Sequence, residues 1–196
     1  MALKSGIFCL EGNWDRDLRD RSSVEPGLEM IHRWKRVPFI QRRVATLPEF
    51  KYYLQKWVLP KYLRYPILYL AFHGEKGCIV TEERGEKKRI TLDNLGLFLK
   101  DKCEGRIVYF GSCKTLDIDR RRINLFLKRT KALAVCGFKS YVDWLPSTVF
   151  DLMVFDLMQG RAFDLRGFNN FDRLIRERVG SIHKKLDFRL ILRDPH

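Results

Sequence analysis

Short apolar runs bounded by polar and turn-forming residues alternate along this chain with stretches whose apolar residues recur every three or four positions. Gly6 to Leu10 reads as a short buried strand, followed by a polar loop from Glu11 to Glu25. Pro26 is well placed as the first residue of a helix to about Trp34, with Ser22 or Ser23 as its N-cap. Pro38 to Val44 reads as a second strand. Thr46 and Pro48 then open a helix through Trp57 that carries Phe50, Leu54, Trp57 and Val58 on one face. Pro66 to Phe72 is nearly all apolar, as a central parallel strand covered on both faces should be, and it ends at His73-Gly74.

The second half continues the alternation. Gly77 to Thr81 and Lys88 to Thr91, separated by charged residues and Gly85, carry the signature of a β-hairpin. A helix from about Leu92 to Asp101 leads to a fourth strand, Arg106 to Phe110, which ends at Gly111-Ser112-Cys113. Further elements are a helix over about Ile118 to Thr130, a strand at Ala132 to Cys136, an apolar helix from Pro146 to about Met158, a helix from about Asn169 to Leu186, and a last strand at Phe188 to Leu192. The pattern predicts one α/β domain over residues 1–196: a three-layer α/β/α sandwich whose mostly parallel central sheet carries helices on both faces, with a small hairpin after the third strand. In such sheets the ligand site lies outside the carboxyl ends of the strands. That rim selects the residues to inspect.

Composition narrows the function classes. The 196 residues, 45% apolar and 13% aromatic, suffice for a substantial core and argue against a disordered or fibrous chain. The formal charge of +14 invites polyanions, but it is regional. Residues 31–64 carry +8, residues 101–131 carry +5 and residues 160–196 carry +4, which leaves −3 for the remainder. The opening residues have too short an apolar run for a secretory signal, and no run approaches the roughly 18–20 apolar residues of a membrane span, so a cytosolic protein with no membrane partner is expected. The five cysteines, Cys9, Cys78, Cys103, Cys113 and Cys136, include no CxxC pair, which argues against zinc or a disulfide framework. No metal and no cofactor is called for. Cys9 and Cys136, inside apolar runs, read as small core residues.

His73 stands directly after the third strand and Cys113 just after the fourth. Neighbouring parallel strands would bring both to one rim. A cysteine is nucleophilic as its thiolate and an imidazole can take the proton, so the pair is the minimal constellation for acyl transfer. Gly74, Gly111 and Ser112 beside them are small enough to admit a substrate carbonyl to backbone N–H donors. His32, His183 and His196 fall in helical or terminal contexts and read as structural.

The order of these pieces, apolar strand, His-Gly, hairpin, helix, apolar strand, then small-Ser-Cys, resembles the caspase-fold cysteine peptidases: caspases, metacaspases, gingipains, separases and bacterial CHAT domains. The likeness covers residues 66–158, with YLAFHGEKG and IVYFGSCKTL similar to the His and Cys motifs. The segment Leu133 to Trp144 looks like the stretch after the next strand in separases and CHAT domains. Glu11-Gly12-Asn13-Trp14 and Ser23-Val24-Glu25-Pro26 are similar to features of small bacterial caspase-like proteins. The resemblance implies a cysteine endopeptidase with Cys113 as nucleophile, His73 as base, and the amides of Gly74 and Cys113 as oxyanion donors. Metacaspases carry an acid two residues before the cysteine to bind a basic side chain, whereas this chain has Gly111 there. Asp143 lies where separases place an acidic specificity residue, which would favour Arg or Lys in the substrate; it reads somewhat more readily as a helix N-terminal charge.

Glu11 and Trp14 follow the first strand at the same rim and are expected to wall a peptide groove; Trp14 and Trp144 read equally as loop residues packed on helices. The partner classes that follow are a peptide or protein substrate, a regulatory protein partner, and a second copy pairing through the apolar last strand. The alternative is a caspase-like scaffold without catalysis that holds nucleic acid or a protein on its basic face. It rests on residues 31–64 and Arg120-Arg121-Arg122, with no recognisable nucleic-acid motif beside them.

Overall fold

The computed structural model describes residues 4–17 and 19–194, so His196 lies outside the described residues. The first half contains β1 (Ile7–Glu11), α1 (Glu25–Lys35), β2 (Phe39–Arg43), α2 (Leu47–Trp57) and β3 (Ile67–Ala71), then the short strands β4 (His73–Glu75), β5 (Cys78–Val80) and β6 (Arg89–Thr91). After them come α3 (Leu92–Phe98), β7 (Ile107–Phe110), α4 (Arg120–Thr130), β8 (Ala134–Phe138), α5 (Trp144–Met158), α6 (Leu165–Phe168), α7 (Phe171–Val179), α8 (Ser181–Lys185) and β9 (Phe188–Leu192). A six-stranded sheet runs in the order β2-β1-β3-β7-β8-β9, and β4-β5-β6 form a separate antiparallel sheet. All pairs of the large sheet are parallel except β8 with β9. The α/β sandwich and the hairpin after the third strand are as the pattern predicts.

Alternation along the strands builds two cores. Ile7, Cys9, Ile67, Tyr69, Ile107, Tyr109, Ala134 and Cys136 face α1, α5 and the C-terminal helices. Phe8, Leu10, Leu68, Leu70, Val108, Phe110 and Val135 face α2, α3 and α4. Residues one apart therefore serve opposite faces, the period-two rule of a pleated sheet. Because both faces are covered, β1, β3, β7 and β8 are buried along their whole length.

Local chemistry sets most boundaries. α2 starts on a capping box in which the Thr46 hydroxyl accepts from the Glu49 N–H and Glu49 reaches back to the Thr46 N–H. α1 has Pro26 in its first turn, but Val24 is its N-cap and makes no side-chain cap bond. Ser23 instead donates to Glu11 and accepts from the Glu25 N–H. The long helix expected over residues 169–186 is divided into α7 and α8 at Gly180, whose φ is 56°. β8 lies two residues further along than the apolar run suggests, and His73-Gly74-Glu75, where the third apolar run ends, form a strand of their own.

One buried acid makes the fold pH-sensitive. Asp151 of α5 lies under the sheet, where the Tyr69 hydroxyl donates to it at 2.7 Å and the Tyr109 hydroxyl donates to its other oxygen. Burial pushes its carboxyl up to about 7, although the two tyrosine bonds pull the other way. A folded-state value above the unfolded one means that the native chain holds an extra proton from about pH 4 to pH 7. Stability from this group is therefore greatest in acid and declines as the pH rises through that window. Urea denaturation at pH 5 and pH 8 should show Asp151→Asn losing that decline relative to the parent; an unchanged difference between the two pH values would exclude Asp151 as its source.

Candidate active site

The parallel register aligns four strand ends on one rim. Glu11 of β1 is level with Ala71 of β3 and Arg43 of β2, while Phe110 of β7 is level with Leu70 and Gly137. Loops leaving these ends carry Trp14, His73, Cys113 and Asp143. The chain winds from β1 outward to β2 and then back to β3, so the topological switch lies between β1 and β3. Trp14 follows the first of these strands and His73 the second, as the rule for ligand crevices requires.

Glu11 does not wall a groove. It is 0% exposed, and its carboxylate accepts from the Trp14 indole N–H (2.8 Å), the Ser23 hydroxyl (2.8 Å), the Val24 N–H (2.7 Å) and the Gln41 amide (2.8 Å). A carboxylate at the end of a buried strand needs its lone pairs filled, and the loop after β1 folds over to fill them. Trp14, held by that bond, stands edge-on to His73 with ring centroids 5.5 Å apart and edge-on to Trp144 at 6.4 Å. Its carbonyl lies 2.8 Å from His73 Nε2. A carbonyl only accepts, so in the neutral ring the proton is on Nε2 and Nδ1 keeps its lone pair.

The cysteines separate clearly. Cys9, Cys78, Cys103 and Cys136 are buried, and burial pushes their thiols up, Cys103 to about 12. Cys113 alone is half-buried. Its sulfur lies 3.5 Å from both the N–H and the carbonyl of Val142, so the thiol can donate to the carbonyl while the amide points a donor at a thiolate. The next residue, Lys114, has a φ of 54°, a left-handed turn that brings its N–H to the Ser140 carbonyl and its ammonium over the Tyr141 ring at 3.9 Å.

Close packing joins the His and Cys segments. A Cβ at Gly74 would collide with the Cys113 carbonyl and crowd the Thr115 hydroxyl, so only glycine lets β4 lie on the cysteine turn. Gly111 has an equally specific neighbour, because a Cβ there would enter the Tyr69 ring. An acidic side chain at position 111 thus has no room. Ser112 is buried and shares a 2.7 Å hydroxyl bond with Thr115, so it pins the turn instead of facing outward.

Asp143 is exposed at the N-cap position of α5 and makes no side-chain cap bond, which leaves its carboxylate open beside Val142 and Trp144. A groove of about 790 Å³ opens on the His73 side, bordered by Trp14, Gly74, Tyr141 and the connection between β5 and β6. Its border carries Asp15, Glu75, Glu82 and Glu83 against Arg16, Arg84 and Lys88. Cys113, Gly111, Ser112, Asp143 and Glu11 are not on that border. His32 meets the Val37 carbonyl and His183 is buried against Phe150 and Phe188, so both have structural places. The described residues contain no cluster of three or more metal-ligating side chains.

An α/β fold with a mostly parallel sheet and a cysteine and a histidine on one sheet rim is the class that the fold and site define. The chain belongs to a family of unknown function, DUF6642, whose model matches residues 4–192. A search of curated proteins finds no match. The roles of Val142 and the Trp14 carbonyl are not legible in the sequence because backbone groups leave no residue-type signal, and the bonds of Gln41 and Ser23 to Glu11 are not because Glu11 is expected to face outward.

Gly74→Ala should destabilise the protein by about 1–3 kcal/mol, since the new methyl must displace the Cys113 carbonyl. Urea denaturation reads this directly, and unchanged stability would mean that the two segments do not pack as described.

Proposed function

We propose that the protein is a caspase-like cysteine endopeptidase in which Cys113 is the nucleophile and His73 the general base, acting after Arg or Lys in a peptide. The observation that carries this reading is the bond from His73 Nε2–H to the Trp14 carbonyl, which leaves Nδ1 free to take a proton on β4, the strand whose Gly74 packs against the cysteine turn. Support also comes from Cys113 being the one half-buried thiol.

In the reaction, Nδ1 accepts the thiol proton and Sγ attacks the scissile carbonyl carbon. The oxyanion is held by the amides of Gly74 and Cys113. His73 then returns the proton to the leaving amine as the C–N bond breaks, giving a thioester and the first product. Water, deprotonated by the same imidazole, hydrolyses the thioester and restores the thiol. Cys113 must leave Val142 to do this, which frees that peptide group for the substrate backbone. The open carboxylate of Asp143 supplies the charge for a basic side chain.

Fluorogenic peptides ending in Arg or Lys should be hydrolysed by the parent, and Cys113→Ala should abolish turnover. His73→Ala should lower kcat by at least about 100-fold. Asp143→Ala should reduce kcat/KM for Arg peptides about tenfold with little change in Tm. No turnover combined with salt-sensitive binding of DNA or RNA that Cys113→Ala leaves intact would favour the scaffold reading instead.

A further inference from the structure

Resting on the dyad reading, we propose that Glu11 is a positioning residue for His73, acting through Trp14. Its carboxylate is the meeting point of three segments: the loop after β1 through Trp14, the start of α1 through Ser23 and Val24, and the edge strand β2 through Gln41. All four donors are neutral. A carboxylate accepts from all four as they stand, whereas a carboxamide turns an N–H₂ towards one pair of them. Gly12, the next residue, donates to the Ala71 carbonyl and lies so close to Phe72 that a Cβ would strike its ring. The loop is thus anchored at its root on β3 and at its return on α1.

Trp14 is the part of this loop that reaches the site. Its indole N–H is bound to Glu11, its ring is held edge-on between His73 and Trp144, and its carbonyl receives His73 Nε2–H. His73 is exposed and carries no side-chain hydrogen bond besides that one among the described residues, so the imidazole takes its tautomer and orientation from where Trp14 sits. Loss of the Glu11 carboxylate releases the indole, lets the carbonyl move, and frees the ring to carry its proton on Nδ1, where it cannot accept from Cys113.

The test is the rate of Cys113 alkylation by iodoacetamide as a function of pH, read by mass spectrometry on the full chain. This needs no knowledge of the substrate. His73→Ala should move the parent profile, which establishes the dyad. Glu11→Gln should move it in the same direction and slow alkylation at pH 7 by about tenfold or more. Trp14→Phe, which removes the indole donor and keeps the backbone, should move it part of the way. Ile175→Val, a core change on α7, should lower Tm and leave the profile alone. A folded Glu11→Gln that keeps the parent profile while His73→Ala moves it overturns the role of Glu11 alone. A profile that His73→Ala does not move overturns the dyad and the role together. If Glu11→Gln does not fold, Trp14→Phe decides, and an unmoved profile there overturns the proposal.

Discussion

A carboxylate buried at the end of a strand has to find donors, and in this protein the requirement at Glu11 organises the whole rim. Four neutral groups converge on it from the following loop, the first turn of α1 and β2. Satisfying them fixes the course of a loop whose described residues form no helix or strand of their own. The backbone of that loop then provides the acceptor that sets the tautomer of His73. A structural demand of the sheet, filling the lone pairs of one acid, is converted into the orientation of an imidazole some distance away.

The second constraint is steric. Gly74 and Gly111 sit where any side chain would meet a neighbour, the Cys113 carbonyl in one case and the Tyr69 ring in the other. The first lets the histidine strand lie on the cysteine turn. The second ties that turn to the tyrosines around Asp151, so the packing of α5 under the sheet reaches to within two residues of the candidate nucleophile. The Lys114 left-handed turn and the Tyr141 ring complete the closure between β7 and β8.

Much of this was legible in the sequence. Continuous apolar runs marked the buried parallel strands, and the rule that chemistry sits at their carboxyl ends selected His73 and Cys113. Where the reading failed, the reasons are physical. Glu11 reads as a groove residue because a charged side chain after an apolar run is ordinarily at the surface, and its burial depends on donors up to 30 positions away. Ser112 turns inward to Thr115, a local pairing that competes with any outward role. The strand β4 was hidden because three residues with one exposed histidine show no alternation, and it forms only by pairing with β5. The charge count of segment 31–64 does not show where its cations lie, and Arg43 at the end of β2 reaches Asn13 and the Ser22 carbonyl, so one of them braces the site loop.

The claim on which the rest turns is that the Trp14 carbonyl holds the proton of His73 on Nε2 and leaves Nδ1 bare. Nitrogen-15 NMR of the imidazole, assigned by comparison with His73→Ala, reports this directly above the histidine titration. The account predicts a protonated Nε2 and an unprotonated Nδ1 that respond when Trp14 or Glu11 is changed. A neutral ring with its proton on Nδ1 would contradict it.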